Sequence, residues 1–299
     1  MRIDEALNVS KRSVSYREAE VFLGHVIAKP REWLHTHPSD LLTAEQECFF
    51  ERCLKRREDN EPVAYIIGCK EFYGRPFVCD SRALIPRPET EVLIDQALEI
   101  LPKRFHDHLK TTNKPCPLRI LELGTGCGNI AATLALELFA RSIPTEILAT
   151  DVSNEALALA KDNWIALALP GSREPQWLNA DLFDALLVRE RAPYDLVIAN
   201  LPYVPAAWQF DPIAQPDVVF YEPDISLFGG TDGLDIYRRF FFQVNEYLQC
   251  NGHVLIEYNE DQTTEIINLI KKCLPSARYV VHQDYAGLDR TVRIDMCRK

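Results

Sequence analysis

The sequence predicts an α/β protein: a mainly parallel sheet with helices on both faces, preceded by a small helical domain. Two observations carry this. From Leu118 onward, strand-like apolar runs alternate with stretches of helical periodicity. Before residue 61 the chain offers helix caps and helix-spaced apolar residues, with almost no strand pattern.

Ser15 is placed to cap a helix through Tyr16, Ala19, Val21 and Phe22 that ends before Pro30. Thr43-Ala44-Glu45-Gln46 has the spacing of a capping box, opening a helix through Cys48, Phe49, Cys53 and Leu54. Residues 1–67 therefore read as a helical domain. Over 68–90, Gly68, Gly74, Pro76, Pro86 and Pro88 punctuate short stretches such as Phe77-Val78-Cys79. That pattern predicts a hairpin or extended linker, then a helix from Thr90 to Leu101. Residues 91–299 read as the main domain, with Pro115 and Pro117 marking a further break. Strands are expected at Leu118–Leu123, Glu146–Thr150, Gln176–Asn179, Asp195–Ala199 and His253–Glu257. Helices are expected at Asn129–Ala140, Glu155–Leu169 and Leu234–Leu248. Tyr279–His282 and Thr291–Ile294, separated by Gly287, suit a closing hairpin.

Composition narrows the function classes. Hydrophobic residues make up 47% of the 299, enough for a substantial core. Of the net charge of −11, almost all lies in residues 61–299, since residues 1–60 hold ten basic and eleven acidic residues. A strongly acidic body does not suit a partner gripped through phosphates, so direct nucleic-acid binding is not expected. No apolar run approaches the ~18 residues of a membrane span, and the first residues lack the apolar stretch of a secretory leader. Nine scattered cysteines with no C-x-x-C pair fit a reducing cytoplasm. His35 with His37 and His106 with His108 have no completing Cys or acidic cluster, so no metal site is expected.

The sharpest local signal is Leu121-Glu122-Leu123-Gly124-Thr125-Gly126-Cys127-Gly128, after a strand and at the start of a helix. Its G-x-G-x-G spacing departs from the dinucleotide fingerprint, whose third glycine would fall at Asn129. A bare strand-to-helix turn would not require three alternating glycines. Asp151 ends the next strand, where a carboxylate can accept both hydrogen bonds of a ribose diol. Asp181 follows the third strand, placed to accept from an adenine amino group while Leu182 packs on the ring. Strand ends at one sheet edge are expected to share a crevice. These residues resemble the Rossmann-like methyltransferases that use S-adenosylmethionine. The resemblance implies that Gly124, Gly126 and Gly128, with Thr125 and Cys127 between them, border the methionine and ribose. It implies Asp151 on the ribose, Asp181 and Leu182 at the adenine, and Asn200 within reach of the cofactor.

Asn200-Leu201-Pro202-Tyr203 stands at the tip of a fourth buried strand. An amide nitrogen is a poor nucleophile because its lone pair is delocalised, whereas a sulfonium methyl is already activated. The protein then has to localise the lone pair and aim it. The Asn200 side-chain oxygen can accept one substrate N–H and a backbone carbonyl of the following turn the other, favouring the positive charge that develops on nitrogen. Tyr203 is expected to stack on the planar amide, and Pro202 to fix the turn.

The order of motifs resembles one family, the HemK-type protein-(glutamine) methyltransferases of class 1 peptide chain release factors. The matching segments are Glu61-Pro62-Val63-Ala64-Tyr65-Ile66-Ile67-Gly68, Glu71-Phe72-Tyr73-Gly74, Leu84-Ile85-Pro86-Arg87-Pro88-Glu89-Thr90-Glu91, the glycine turn and Asn200 to Tyr203. They continue with Tyr221-Glu222-Pro223, Leu227-Phe228-Gly229-Gly230-Thr231-Asp232-Gly233-Leu234 and Asp284-Tyr285-Ala286-Gly287-Leu288-Asp289-Arg290. The resemblance implies methylation of the glutamine of a Gly-Gly-Gln loop. It implies a helical domain that helps grip the release factor, a monomer, and a wall near the glutamine that includes Leu84 and Arg87.

Two positions depart from the family. Leu201 stands where a proline is usual; its carbonyl survives the change, but the backbone of Asn200 loses a restraint, so catalysis is expected to persist at a lower rate. Cys127 stands where Ser or Thr is common and is expected to act as a small side chain in a tight turn. A ribosomal RNA adenine methyltransferase shares Asn-Leu-Pro-Tyr but is disfavoured by the acidic body and by Pro-Arg-Pro-Glu-Thr-Glu. A non-catalytic adaptor is disfavoured by intact Asn200 and Tyr203, and a nicotinamide dehydrogenase by Asn129.

Overall fold

A computed structural model of the chain describes residues 1–10, 14–184, 186, 193–210 and 216–296. Their contacts separate two units.

The first unit runs from Met1 to Cys69 and takes in the segment that ends at Tyr221. Its helices are α1 (Ile3–Ser10), α2 (Tyr16–Ile27), α3 (Arg31–Thr36), α4 (Ala44–Glu58) and α5 (Val63–Ile67). Both expected caps form. Ser15 accepts from the backbone of Glu18 while the Glu18 side chain returns to Ser15, and Thr43 and Gln46 do the same for α4. Ile3, Ala6, Phe22, Leu23, Leu34 and Phe50 make its apolar core. Residues 216–221 group with this unit, whereas the sequence division assigned them to the main domain. Within the unit Tyr221 donates to the Asp59 carbonyl at 2.7 Å and Arg57 pairs with Asp217 at 3.5 Å.

The hairpin of β1 (Cys69–Phe72) and β2 (Arg75–Val78) opens the second unit at Lys70, within the 68–90 stretch that the sequence reads as a hairpin or linker. Helix α6 (Glu91–Thr112) follows. It continues ten residues past Pro102, where the sequence reading ended it near Leu101. Burial of Phe105 and the 2.8 Å pair from Arg104 to Asp195 hold the second half in place. Then come β3 (Leu118–Leu123), α7 (Asn129–Ala140), β4 (Thr145–Asp151), α8 (Asn154–Leu167), β5 (Gln176–Asn179) and β6 (Tyr194–Ala199). Two one-turn helices, α9 (Pro216–Val219, in the first unit) and α10 (Asp224–Leu227), precede α11 (Asp235–Gln243). The chain ends with β7 (Leu248–Glu257), α12 (Thr263–Cys273), β8 (Arg278–Gln283) and β9 (Asp289–Asp295).

The sheet order is β5-β4-β3-β6-β7-β9-β8. The first five strands pair in parallel, and β9 joins β7 and β8 antiparallel. The expected closing hairpin is present, with its second strand inserted beside β7. Apolar side chains alternate between two cores, Ile120 facing one with α6 and α7, Leu121 and Leu123 facing the other with α11 and α12. The chain winds outward from β3 through β4 to β5, then restarts at β6 on the other side of β3. That reversal opens a crevice at the carboxyl ends of the strands. Register aligns the tips: Leu123 pairs with Thr150 and with Ala199, and Ala199 with Ile256. One residue further on, Gly124, Asp151, Asn200 and Glu257 form a row across four strands.

Candidate functional site

The row opens into a cavity of about 280 Å³ within the second unit. Its walls include Gly124, Thr125, Gly126 and Cys127 from the glycine turn, Asp151, Asp181 and Leu182 from neighbouring strand ends, and Asn200, Leu201 and Pro202 after β6. Leu84, Arg87 and Thr90 close another side.

Asp151 braces the glycine turn as well as facing the cavity. Its Oδ2 accepts Gly126 N–H at 2.8 Å and its Oδ1 accepts Ser153 N–H at 2.9 Å. Each oxygen keeps a lone pair for a further donor. Burial raises the affinity of this carboxyl for its proton, and the backbone donors oppose that. Thr125 faces inward to Glu122, donating to Oε2 at 2.8 Å. Glu122 is fully buried, and burial moves it from the usual carboxylate range to about 8. Cys127 is buried and pushed up to about 12 by the same cause, so its thiol stays protonated. That agrees with a small, inert side chain in the turn.

Two expected residues sit differently. Gly128 does not wall the cavity: it faces α8, where a Cβ would fall 2.9 Å from that of Ala160. Its glycine is required by helix packing. Tyr203 also lies outside the cavity wall. Its ring packs against the core on the α11 side, and its hydroxyl donates to Glu257 Oε1 at 3.0 Å. That hydrogen bond ties the loop to the end of β7. Asp181 lies on the wall and also pairs with Arg239 at 2.9 Å, both half-exposed.

The carbonyls of the loop after β6 are sorted by their neighbours. Pro202's carbonyl lies under Gly229, where a Cβ would come within 2.4 Å of the oxygen. Tyr203's carbonyl accepts from Gln262 Nε2 at 2.9 Å. That leaves the carbonyl of Leu201, on the cavity wall, with no hydrogen-bond donor among the described residues. Asn200 is held from behind, its Nδ2 donating to Thr90 Oγ1 at 3.1 Å. Arg87 pairs with Glu222, a buried carboxylate that also accepts Ile85 N–H at 3.0 Å. This joins two of the segments singled out in the sequence, Leu84 to Glu91 and Tyr221 to Pro223.

Sequence reasoning missed Thr90, Glu222, Glu257 and Gln262 as parts of the site. Glu257 carried a signal: it is an acid directly after the apolar run Val254-Leu255-Ile256, at the tip of a strand adjoining the one that carries Asn200. Among the described residues no cluster of His, Cys, Asp and Glu could hold a metal ion, and no helix is long and apolar enough to cross a membrane.

Residues 4–68 match the model of the PrmC N-terminal domain. The whole chain is 32% identical over 298 residues to the release factor glutamine methyltransferase of Bacillus anthracis, covering 98% of both. It is 32% identical over 284 residues to the bifunctional methyltransferase of Rickettsia prowazekii, covering 93% of this chain and 52% of that one; it spans about half that relative's length. Among solved structures, the human methyltransferase 10 domain containing protein superimposes with a TM-score of 0.51 at 17% identity. That match covers 84% of this chain and 95% of the other, a likeness of fold alone.

Proposed function

The chain belongs to the release factor glutamine methyltransferase family, and from that premise we propose that it transfers a methyl group from S-adenosylmethionine to the side-chain amide nitrogen of the glutamine in the Gly-Gly-Gln loop of a class 1 release factor. The observation that carries this reading is the pairing, among the residues that line the cavity, of Asn200, whose amino group is tied to Thr90, with Leu201, whose carbonyl has no hydrogen-bond donor among the described residues.

The residues present fit the methyl donor. Asp151 keeps free lone pairs for a ribose diol, Leu182 is an apolar wall residue beside it, and Asp181 is placed for an exocyclic amine. Gly124, Thr125, Gly126 and Cys127 bring backbone to the cavity edge without bulk. When bound, S-adenosylmethionine supplies an activated methyl on a sulfonium with a neutral leaving group.

The protein's own part is orientation and electrostatics. A primary amide has two N–H groups. Asn200 Oδ1 takes one and the Leu201 carbonyl the other, which fixes the plane of the amide and the direction of its lone pair. Both acceptors are dipoles fixed before reaction. Positive charge gathers on the nitrogen as its bond to carbon forms, so both contacts strengthen at the transition state. The extra proton leaves after transfer, so no strong base is needed beforehand. Pro202 and the covering Gly229 keep the loop from turning its carbonyls elsewhere. The helical first unit, matched by the PrmC N-terminal domain, is assigned to gripping the release factor. The reaction is placed in the cytoplasm, where release factors work.

The test uses purified protein, unmethylated release factor and S-adenosylmethionine, with Asn200→Ala in parallel. Tandem mass spectrometry of the Gly-Gly-Gln peptide should show one added methyl on the glutamine, lost with Asn200→Ala. A glutamine left unmodified by protein that demonstrably binds the donor would remove the release-factor reading.

A further inference from the structure

Thr90 closes the Pro86-Arg87-Pro88-Glu89-Thr90 stretch and Glu257 ends β7; neither belongs to the loop after β6, yet both hold it. The Thr90 hydroxyl has one hydrogen, and donates it to Glu257 Oε2 at 2.7 Å. Toward Asn200 that oxygen can then only accept, and it accepts Nδ2–H at 3.1 Å. The two ends of an asparagine amide are nearly equal in size, so shape alone does not choose between them. Chemistry does: with the amino group tied to Thr90, Oδ1 is the end left for another partner. A flipped amide would instead meet a substrate N–H with N–H of its own.

Glu257 reaches the loop by two further routes. Its Oε1 accepts the Tyr203 hydroxyl at 3.0 Å. Its backbone carbonyl accepts the Tyr237 hydroxyl, which in turn accepts Leu201 N–H at 3.3 Å. Asn200, Leu201 and Tyr203 thus all trace to one residue. Thr90, on the cavity wall, and Glu257 are only 2% and 1% exposed, so the polar chain lies out of bulk water. A buried carboxylate is costly unless its lone pairs are satisfied, and here two hydroxyls satisfy them. Burial raises the affinity of Glu257 for its proton; the Thr90 and Tyr203 hydroxyls and Arg290 oppose that, and Glu89 adds to it.

We propose that Thr90 and Glu257 are positioning residues for methyl transfer: they set the rotation of the Asn200 side chain so that its carbonyl oxygen meets the substrate amide. This rests on the glutamine-amide reading given above.

The test compares Thr90→Val, which keeps the volume and removes the hydroxyl, with Thr90→Ser, which keeps the hydroxyl. On intact release factor, Thr90→Val is expected to lower kcat on the order of 10- to 100-fold. KM for the release factor and Kd for S-adenosylmethionine should each move less than about twofold, because valine keeps the volume that Thr90 presents to the cavity. Thr90→Ser should keep kcat within about threefold of the unsubstituted protein. Glu257→Gln turns an amino group against one of the two hydroxyls and should also lower kcat. A second readout needs no substrate. In nitrogen-15 spectra the Asn200 side-chain amide should show a proton protected from exchange, lost in Thr90→Val and kept in Thr90→Ser. Unchanged protection in Thr90→Val, or equal losses of kcat in Thr90→Val and Thr90→Ser, would overturn the proposal. If the amide signals behave as expected while the unsubstituted protein leaves the release factor unmethylated, the orientation of Asn200 stands and the substrate reading falls.

Discussion

Gly233 lies so close to the carbonyl of Tyr203 that a Cβ on it would fall 2.0 Å from the oxygen. Nothing larger than hydrogen fits there, and the same carbonyl is fixed from another side by Gln262. The Gly-Gly-Thr-Asp-Gly segment is thus a moulded backing for the loop that carries Asn200. Gly233→Ala also forces a side chain into a left-handed conformation, at φ 79°. We expect a stability loss of roughly 2–4 kcal/mol, read from denaturant midpoints. The fall in kcat should exceed about tenfold even where the variant is still folded. An alanine variant with ordinary stability and activity would show that the backing yields.

Gly128 is the contrasting glycine. Its neighbour is Ala160 of α8, not the cavity, so Gly128→Ala should act on the fold. A loss of about 2 kcal/mol is expected from the close contact and the positive φ of 81°. Calorimetric titration with S-adenosylmethionine on the folded fraction should give Kd within about twofold of the unsubstituted value. A large change in Kd with little change in stability would return Gly128 to the ligand.

The difference between these glycines explains what could be read in the sequence. Alternating strands and helices from Leu118 to Glu257 are local patterns, and the strand runs correspond to the observed ones. So does the turn from Gly124, because tight turns and strand tips are written in neighbouring residues. What lay beyond reading was assembled over distance. Thr90 and Glu257 meet across 167 residues, Arg87 and Glu222 across 135. Each looks ordinary alone, a helix-start threonine and a strand-end acid. The methyltransferase resemblance put Gly128 at the ligand together with Gly124 and Gly126, and spacing does not say which face of a turn a glycine presents. Helix α6 ran past its expected end because burial of Phe105 and the Arg104–Asp195 pair outweigh the local signal of Pro102.

Glu122 gives the fold a particular pH dependence. Burial raises its folded value to about 8, from the 4.5 of an unhindered glutamate; Thr125 pulls it down and Asp151 pushes it up. Between those values the folded protein holds a proton that the unfolded chain has released. Stability from this group is therefore greatest below pH about 4.5 and is lost as pH rises toward 8, with a slope of at most about 1.4 kcal/mol per unit. Glu122→Gln removes the titration. Denaturant midpoints from pH 5 to 9 should fall less steeply for Glu122→Gln, and the variant should be the more stable of the two at pH 8. Parallel curves would mean that Glu122 is ionised in the folded protein.

Asp181 faces the cavity while pairing with Arg239, and the two roles separate on substitution. The pair is half-exposed, so its loss should cost less than about 0.5 kcal/mol of stability. If Asp181 accepts from the adenine amine, Asp181→Ala should weaken S-adenosylmethionine by about tenfold, the worth of one charged hydrogen bond. Titration calorimetry decides: an unchanged Kd would leave Asp181 with Arg239 as its sole partner.

Leu201 is where the chain departs from the proline usual in its family, and the structure alters what restoring that proline should do. Read from the sequence, proline would stiffen a loosened loop. In the fold the loop is already tied through Thr90, Tyr237 and Tyr203 to Glu257. One of those ties is the Leu201 N–H itself, which proline lacks. The Leu201 side chain is buried and its Cδ2 packs against Gly124, a contact that a proline ring only partly replaces. Losing the bond costs about 1 kcal/mol, and the packing adds a comparable amount. Leu201→Pro is therefore expected to be about 2 kcal/mol less stable in denaturant, with kcat within about threefold, since the acceptor carbonyl remains. A rise in kcat of tenfold or more would show that the backbone of Asn200 is loose after all, and that the three ties to Glu257 do not restrain it.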